Sequence, residues 1–197
     1  ITPAERPTDD VYHNSVFALD NSGTLRWRYD KAHLVPFGEY LPVRGILGRI
    51  GLTRLVPGDG DFTAGPGPRT LPLPGFTSGA VPASVGVQIC YEIIFSGRVV
   101  DREHRPSFLF NPSNDAWFGG SSIIDLHLTC SVFRALEHRT PTLIAANTGL
   151  SAWIEGDGQI RDQGPRLQNA VVIAEERPDI RRSFYTRFGD WAAAACL

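Results

Sequence analysis

Two rhythms of hydrophobic and polar positions run along the 197 residues. His13 to Asp20 and Thr24 to Tyr29 alternate with the two-residue period of strands, and Asn21-Ser22-Gly23 between them is a turn signal, so the chain opens on a hairpin. Residues 1–10, polar with two prolines, are expected to be irregular. Asp30 to Pro42 mixes aromatics, prolines and charges without a period and reads as a structured loop, a frequent carrier of function. Glycines and prolines mark residues 45–68 as a surface excursion. Arg69 to Leu73 and Ala80 to Ile89 are the next strands. Within residues 84–95 the period changes. Ser84 to Ile89 is short, apolar and β-branched, as in a buried strand, whereas Glu92, Ile93, Ile94, Phe95, Val99 and Val100 have helical spacing. Cys90 falls at the join.

Beyond this join, Ser107 to Asn111 reads as a buried strand that runs into the polar and aromatic loop Pro112 to Gly120. Residues 121–138 carry the strongest helical pattern, with Ile124, Leu128, Val132 and Leu136 on one stripe and Leu126, Cys130 and Phe133 near it. Pro141 to Asn147 and Leu150 to Glu155 are strands, Gly156-Asp157-Gly158 a hairpin turn, and Ala170 to Glu175 a closing strand. Strands alternating with helices, hairpins inserted, predict an α/β domain with a mixed sheet.

Composition narrows the chemistry. At 42% hydrophobic and 20% charged the chain can bury a sizeable core, and a net charge of −2 gives no electrostatic basis for nucleic-acid binding. The sequence contains no Met, so position 1 is not expected to be a translation start. The three cysteines, Cys90, Cys130 and Cys196, form no zinc spacing. Of nineteen basic residues only Lys31 is a lysine. A strand-to-helix join presents unpaired N–H groups that favour a thiolate and a developing oxyanion, although a cysteine there also suits a small core position. Cys, Lys and Glu on three loops that follow strands suggest covalent acyl transfer, with no metal or cofactor. His33 and His127 have no acid at a telling spacing and read as structural.

The motifs are specific enough to place the chain. Asp30-Lys31-x-His33-Leu34-Val35-Pro36-Phe37-Gly38-Glu39-Tyr40-x-Pro42 resembles the lysine motif of the apolipoprotein N-acyltransferases, membrane members of the nitrilase superfamily, and Ile89-Cys90-Tyr91-Glu92 resembles their nucleophile motif. Asn111 to Gly119, Arg134-Ala135-Leu136-Glu137 and Asn147-Thr148-Gly149-x-Ser151-Ala152 are similar to later blocks in the same order. Tyr185-Thr186-Arg187-x-Gly189-Asp190-Trp191 resembles the approach to the family's last membrane helix.

The resemblance implies a nitrilase-like αββα sandwich with mixed sheets, its N-terminal portion missing, over residues 1–191, with residues 192–197 as the start of a C-terminal membrane helix. It implies Cys90 as the nucleophile that takes an acyl group from a phospholipid, and Lys31 as oxyanion stabiliser with the Tyr91 backbone N–H as partner. Glu39 and Glu92 would hold Lys31 and the attacking group, while Tyr91, Trp117 and Asn114 would contact substrate. The acceptor would be the N-terminal cysteine amine of a diacylglyceryl apolipoprotein, and the domain would lie on the extracytoplasmic face of the cell membrane.

One departure stands out. The family's general-base glutamate lies in a Pro-Glu motif upstream of the lysine motif, and nothing here matches it; Glu5 has the wrong neighbours. The chain alone is therefore expected to be inactive. A soluble nitrilase-type amidase with water as acceptor, and a non-catalytic fragment, remain alternative readings. Arg134 and Glu137, three apart on a helix, read as an ordinary surface pair worth a few tenths of a kcal/mol.

Overall fold

The computed structural model describes residues 11–43, 61–79, 81–101, 103–174 and 181–191. The chain forms two compact units, Ile1–Gly67 and Pro68–Leu197. The tail 192–197, Glu5, Cys196 and most of the 45–68 excursion lie outside the described residues.

In the first unit β1 (Ser15–Leu19) pairs antiparallel with β2 (Leu25–Asp30). The Asp20 carboxylate closes the turn by accepting the backbone N–H groups of Ser22 and Thr24, each at 2.9 Å. These bonds, with that from the Ser22 hydroxyl, hold the Asp20 carboxyl at about 2. The following loop is pinned by an isolated bridge between Pro36 and Tyr40.

The second unit is built on a six-stranded mixed sheet in the order β3 (Thr70–Ser78), β4 (Val81–Val87), β5 (Phe108–Ser113), β6 (Thr142–Ala146), β7 (Ala152–Ile154), β8 (Ile160–Gln163). Strands β4, β5 and β6 are parallel, and the flanking pairs are antiparallel. The parallel centre is buried, as its apolar runs require: Val85, Val87, Leu109 and Ile144 are core residues. Gly86 is needed there, because a Cβ at this position would come within 2.9 Å of the Leu109 side chain. Helix α1 (Ile123–His138) packs on β6 and β7, and the short α2 (Phe184–Phe188) packs on α1. Ser183 caps α2 by accepting the Thr186 N–H at 2.9 Å and donates its hydroxyl to the Glu137 carbonyl. Among the described residues no helix is long and apolar enough to cross a membrane.

Four expectations change. The segment after Cys90 is one five-residue 3-10 turn, Cys90–Ile94, rather than a helix reaching Val100. Phe95 is already extended, Gly97 at φ 70 turns the chain again, and Val99 and Val100 enter the core from irregular backbone. The stripe of α1 is displaced: Ile124 is buried and Leu128 and Val132 partly so, but Leu136 is 42% exposed. Its buried face instead carries His127, Ser131, Arg134 and His138. Residues 170–174 form no regular element, and β8 closes the sheet in their place. Finally, Arg134 and Glu137 are no surface pair. Arg134 is 7% exposed, and its guanidinium lies 2.6 Å from Glu137 Oε1 and donates to the Ile94 carbonyl.

Candidate active site

The first unit places Lys31 immediately after β2, where its N–H donates to the Asn14 carbonyl. The side chain is 2% exposed, and Nζ lies 2.9 Å from Glu39 Oε2. A lone ammonium does not survive such burial unpaired. Glu39 is fixed in turn: Oε1 accepts Asn14 Nδ2 and Oε2 accepts the Val35 N–H, each at 2.8 Å. The lysine motif is thus a loop folded around one carboxylate. Its two candidate residues are together, as a buried ion pair rather than the exposed pair that charge spacing alone would suggest.

The second unit gathers its candidates at the carboxyl ends of the three parallel strands, the usual location of sites in open α/β sheets. Cys90 follows β4, Asn114 and Asp115 follow β5, and Asn147 to Gly149 follow β6. Cys90 is a free, partly exposed thiol whose backbone has φ 50. A non-glycine residue rarely occupies that left-handed region, and such backbone clusters at functional sites. Two sets of bonds maintain the turn. The Glu92 carboxylate, 1% exposed, accepts the Ile89 N–H at 2.7 Å. Asn111 Nδ2 bridges the carbonyls of Gln88 at 2.5 Å and Cys90 at 3.1 Å. Tyr91, partly buried, packs edge-on against Phe95.

Asn114 is exposed and accepts Asn147 Nδ2 at 2.7 Å, closing the β5 loop onto the β6 loop. Trp117 is 61% exposed on the 3-10 turn Asp115–Phe118, an outward apolar surface beside these loops.

Sequence reasoning missed a buried polar group beneath the Cys90 turn. Asp115 Oδ1 accepts the Ser113 hydroxyl and lies 3.5 Å from His127 Nδ1, while His127 Nε2 donates to the Cys90 carbonyl at 3.2 Å. Burial pushes the Asp115 carboxyl up, but the His127 and Ser113 hydrogen bonds and the His127 charge outweigh it and hold it below the usual range. His127, read as lacking an acid partner, therefore has one. The signal was the polar series His127, Ser131, Arg134 and His138 on one helical face, which an ordinary amphipathic helix would turn to solvent. Among the described residues no group of His, Cys, Asp or Glu could hold a metal.

The carbon-nitrogen hydrolase family model matches residues 1–183. The chain is 41% identical over 189 residues to an apolipoprotein N-acyltransferase of Geobacter metallireducens, covering 94% of this chain and 34% of that protein. It is 38% identical over 196 residues to another of Bradyrhizobium diazoefficiens, covering 99% and 35%. The chain thus spans about a third of the length of these curated relatives. Its fold is similar to that of Saccharomyces cerevisiae Nit3, of branch 10 of the nitrilase superfamily, with TM-score 0.57 at 15% identity over 85% of this chain and 54% of that one.

Proposed function

The chain belongs to the carbon–nitrogen hydrolase family, and on that premise we propose that it is the thiol-bearing part of an N-acyltransferase that matures lipoproteins at a membrane. The observation that carries this reading is the Cys90 turn: a free thiol on left-handed backbone at the carboxyl end of a parallel strand. Similarity to the apolipoprotein N-acyltransferases supports the choice of acyl transfer to an amine over hydrolysis.

The Cys90 thiolate attacks the ester carbonyl of a phospholipid. A C–S bond forms, and the carbonyl electrons move to oxygen. The Tyr91 N–H stabilises that oxyanion, and the likeness of the lysine motif to the family's supports Lys31, held by Glu39, as a further donor. Collapse breaks the C–O bond, and the lysophospholipid leaves as an alcohol, its alkoxide taking up the proton that the Cys90 thiol gave up. The N-terminal amine of a diacylglyceryl-cysteine then attacks the thioester, a C–N bond forms as the C–S bond breaks, and the proton lost by the amine restores the Cys90 thiol. Glu92, its carboxylate engaged with the Ile89 N–H, is a positioning residue here. Tyr91, Trp117 and Asn114 line the acyl donor's approach.

Mass spectrometry of the intact protein after incubation with phospholipid tests this reading. The expected result is one acyl group on Cys90, none on the Cys90→Ala variant, and transfer to a diacylglyceryl peptide. Release of free fatty acid with no amide product would replace the acyltransferase reading with an amidase or esterase one.

A further inference from the structure

We propose that His127 and Asp115 are positioning residues for acyl transfer, acting through the Cys90–Tyr91 peptide to aim and polarise the Tyr91 N–H. The proposal rests on Cys90 being the nucleophile, and it adds a device beneath that residue.

The Cys90 carbonyl accepts two side-chain donors, Asn111 Nδ2 at 3.1 Å and His127 Nε2 at 3.2 Å. A carbonyl oxygen has two lone pairs, and these donors occupy both. The peptide is trans, which sets its N–H antiparallel to its C=O. Clamping the carbonyl therefore points the Tyr91 N–H away from Asn111 and His127. Among the described residues that N–H has no backbone acceptor. Donors on a carbonyl polarise the whole amide, so the same contacts make the N–H a stronger donor.

The backing of His127 fits this role. Its Nε2 faces a carbonyl and must carry a proton, while Nδ1 faces the Asp115 carboxylate at 3.5 Å. That carboxylate is itself confined. Ser113 donates to Oδ1, the backbone N–H donates to Asn147 Oδ1 at 3.1 Å, and Oδ2 abuts Gly149, where any Cβ would collide with it. A buried carboxylate and a buried histidine are costly to keep beneath a turn that Glu92 and Asn111 already secure. A precisely aimed donor at the reacting centre accounts for retaining them.

The test separates aim from general structure with two reactions of one thiol. Acylation by 4-nitrophenyl octanoate forms an S–C bond, breaks the ester C–O bond, releases 4-nitrophenolate and passes through an oxyanion. Alkylation by iodoacetamide displaces iodide with no oxyanion. Both rates are measured on the intact protein for wild type, His127→Ala, His127→Gln, Asp115→Asn and Cys90→Ala. For His127→Ala we expect acylation to fall about 10- to 100-fold, up to the loss of one oxyanion donor, with alkylation within about threefold of wild type. His127→Gln, whose amide nitrogen reaches the same carbonyl, should recover most of the acylation. Asp115→Asn should lose about tenfold in acylation alone. If His127→Ala does not fold, the Gln and Asn variants decide. Equal losses in both reactions, or no loss in acylation, overturn the proposal. Acylation that persists in Cys90→Ala overturns the nucleophile assignment itself, whatever the His127 variants do.

Discussion

Lys31 Nζ lies 2.9 Å from Glu39 Oε2 with the lysine all but sealed from solvent. An ammonium is a compact donor on a flexible stem, whereas a guanidinium is a broad planar fork. Lys31→Arg, which keeps the charge, should therefore fail in single-turnover acylation nearly as badly as Lys31→Ala, with a loss of at least about 10²–10³-fold. Near wild-type acylation by the arginine variant would remove Lys31 from the oxyanion role.

The left-handed backbone at Cys90 makes a prediction for stability. A glycine ordinarily costs about 0.5–1 kcal/mol relative to alanine, but at φ 50 the Cβ itself is the liability. Cys90→Gly should match or exceed Cys90→Ala in urea denaturation, with both inactive in thioester formation. Cys130→Ala, at a partly buried position of α1, should keep the thioester.

Arg134 joins two elements, donating to the Ile94 carbonyl and to Glu137. Removing a buried partner strands a partly buried one, so Arg134→Ala should cost about 1–3 kcal/mol, against the few tenths expected of a surface pair. A double-mutant cycle with Glu137→Gln should show strong coupling between them; additive losses would return the pair to the surface class.

Two acids, Asp115 buried and Glu137 partly so, give stability opposite pH dependences. Asp115 is held below its ordinary value of 3.8, so its contribution is present above 3.8 and lost as pH falls through the folded value. Glu137 is raised above 4.5, chiefly by burial, so folding favours its neutral form and stability declines as pH rises from 4.5 through the folded value. Asp115→Asn should flatten the acid limb of a stability–pH curve, and Glu137→Gln the limb above 4.5. An unchanged curve in either variant would contradict the assignment.

Gly149 leaves no space for a side chain, because a Cβ would occupy the position of Asp115 Oδ2. Gly149→Ala should displace that carboxylate and cost about 1–3 kcal/mol in thermal unfolding, as overpacking does. A neutral effect would show that the β6 loop yields freely.

Much of this arrangement was legible in the chain. The opening hairpin, the buried β4 and β5 and the span of α1 followed from period alone, and the lysine and cysteine motifs marked the loops that carry Lys31 and Cys90. What escaped depended on tertiary surroundings. Ile93, Ile94, Phe95, Val99 and Val100 have helical spacing, yet the turn ends at Ile94, where Phe95 is already extended, and Gly97 then turns the chain again. Ile160 to Gln163 has too few apolar residues to announce a strand, while Val171 to Ile173 has them and forms none. Arg134 and Glu137 look like surface charges because charges seldom are buried, and only the elements packed over α1 decide otherwise.

The polar inner face of α1 has a last consequence. An oily face tolerates sliding, since one leucine fills the place of another at little cost. His127 and Arg134 offer no such substitutes: a rotation by one residue, about 100°, would carry their donors away from the Cys90 and Ile94 carbonyls. The helix is indexed like a key, able to seat at a single azimuth. Apolar replacements along this face would free it to turn in its socket, and the molecule would lose its alignment before it lost its fold.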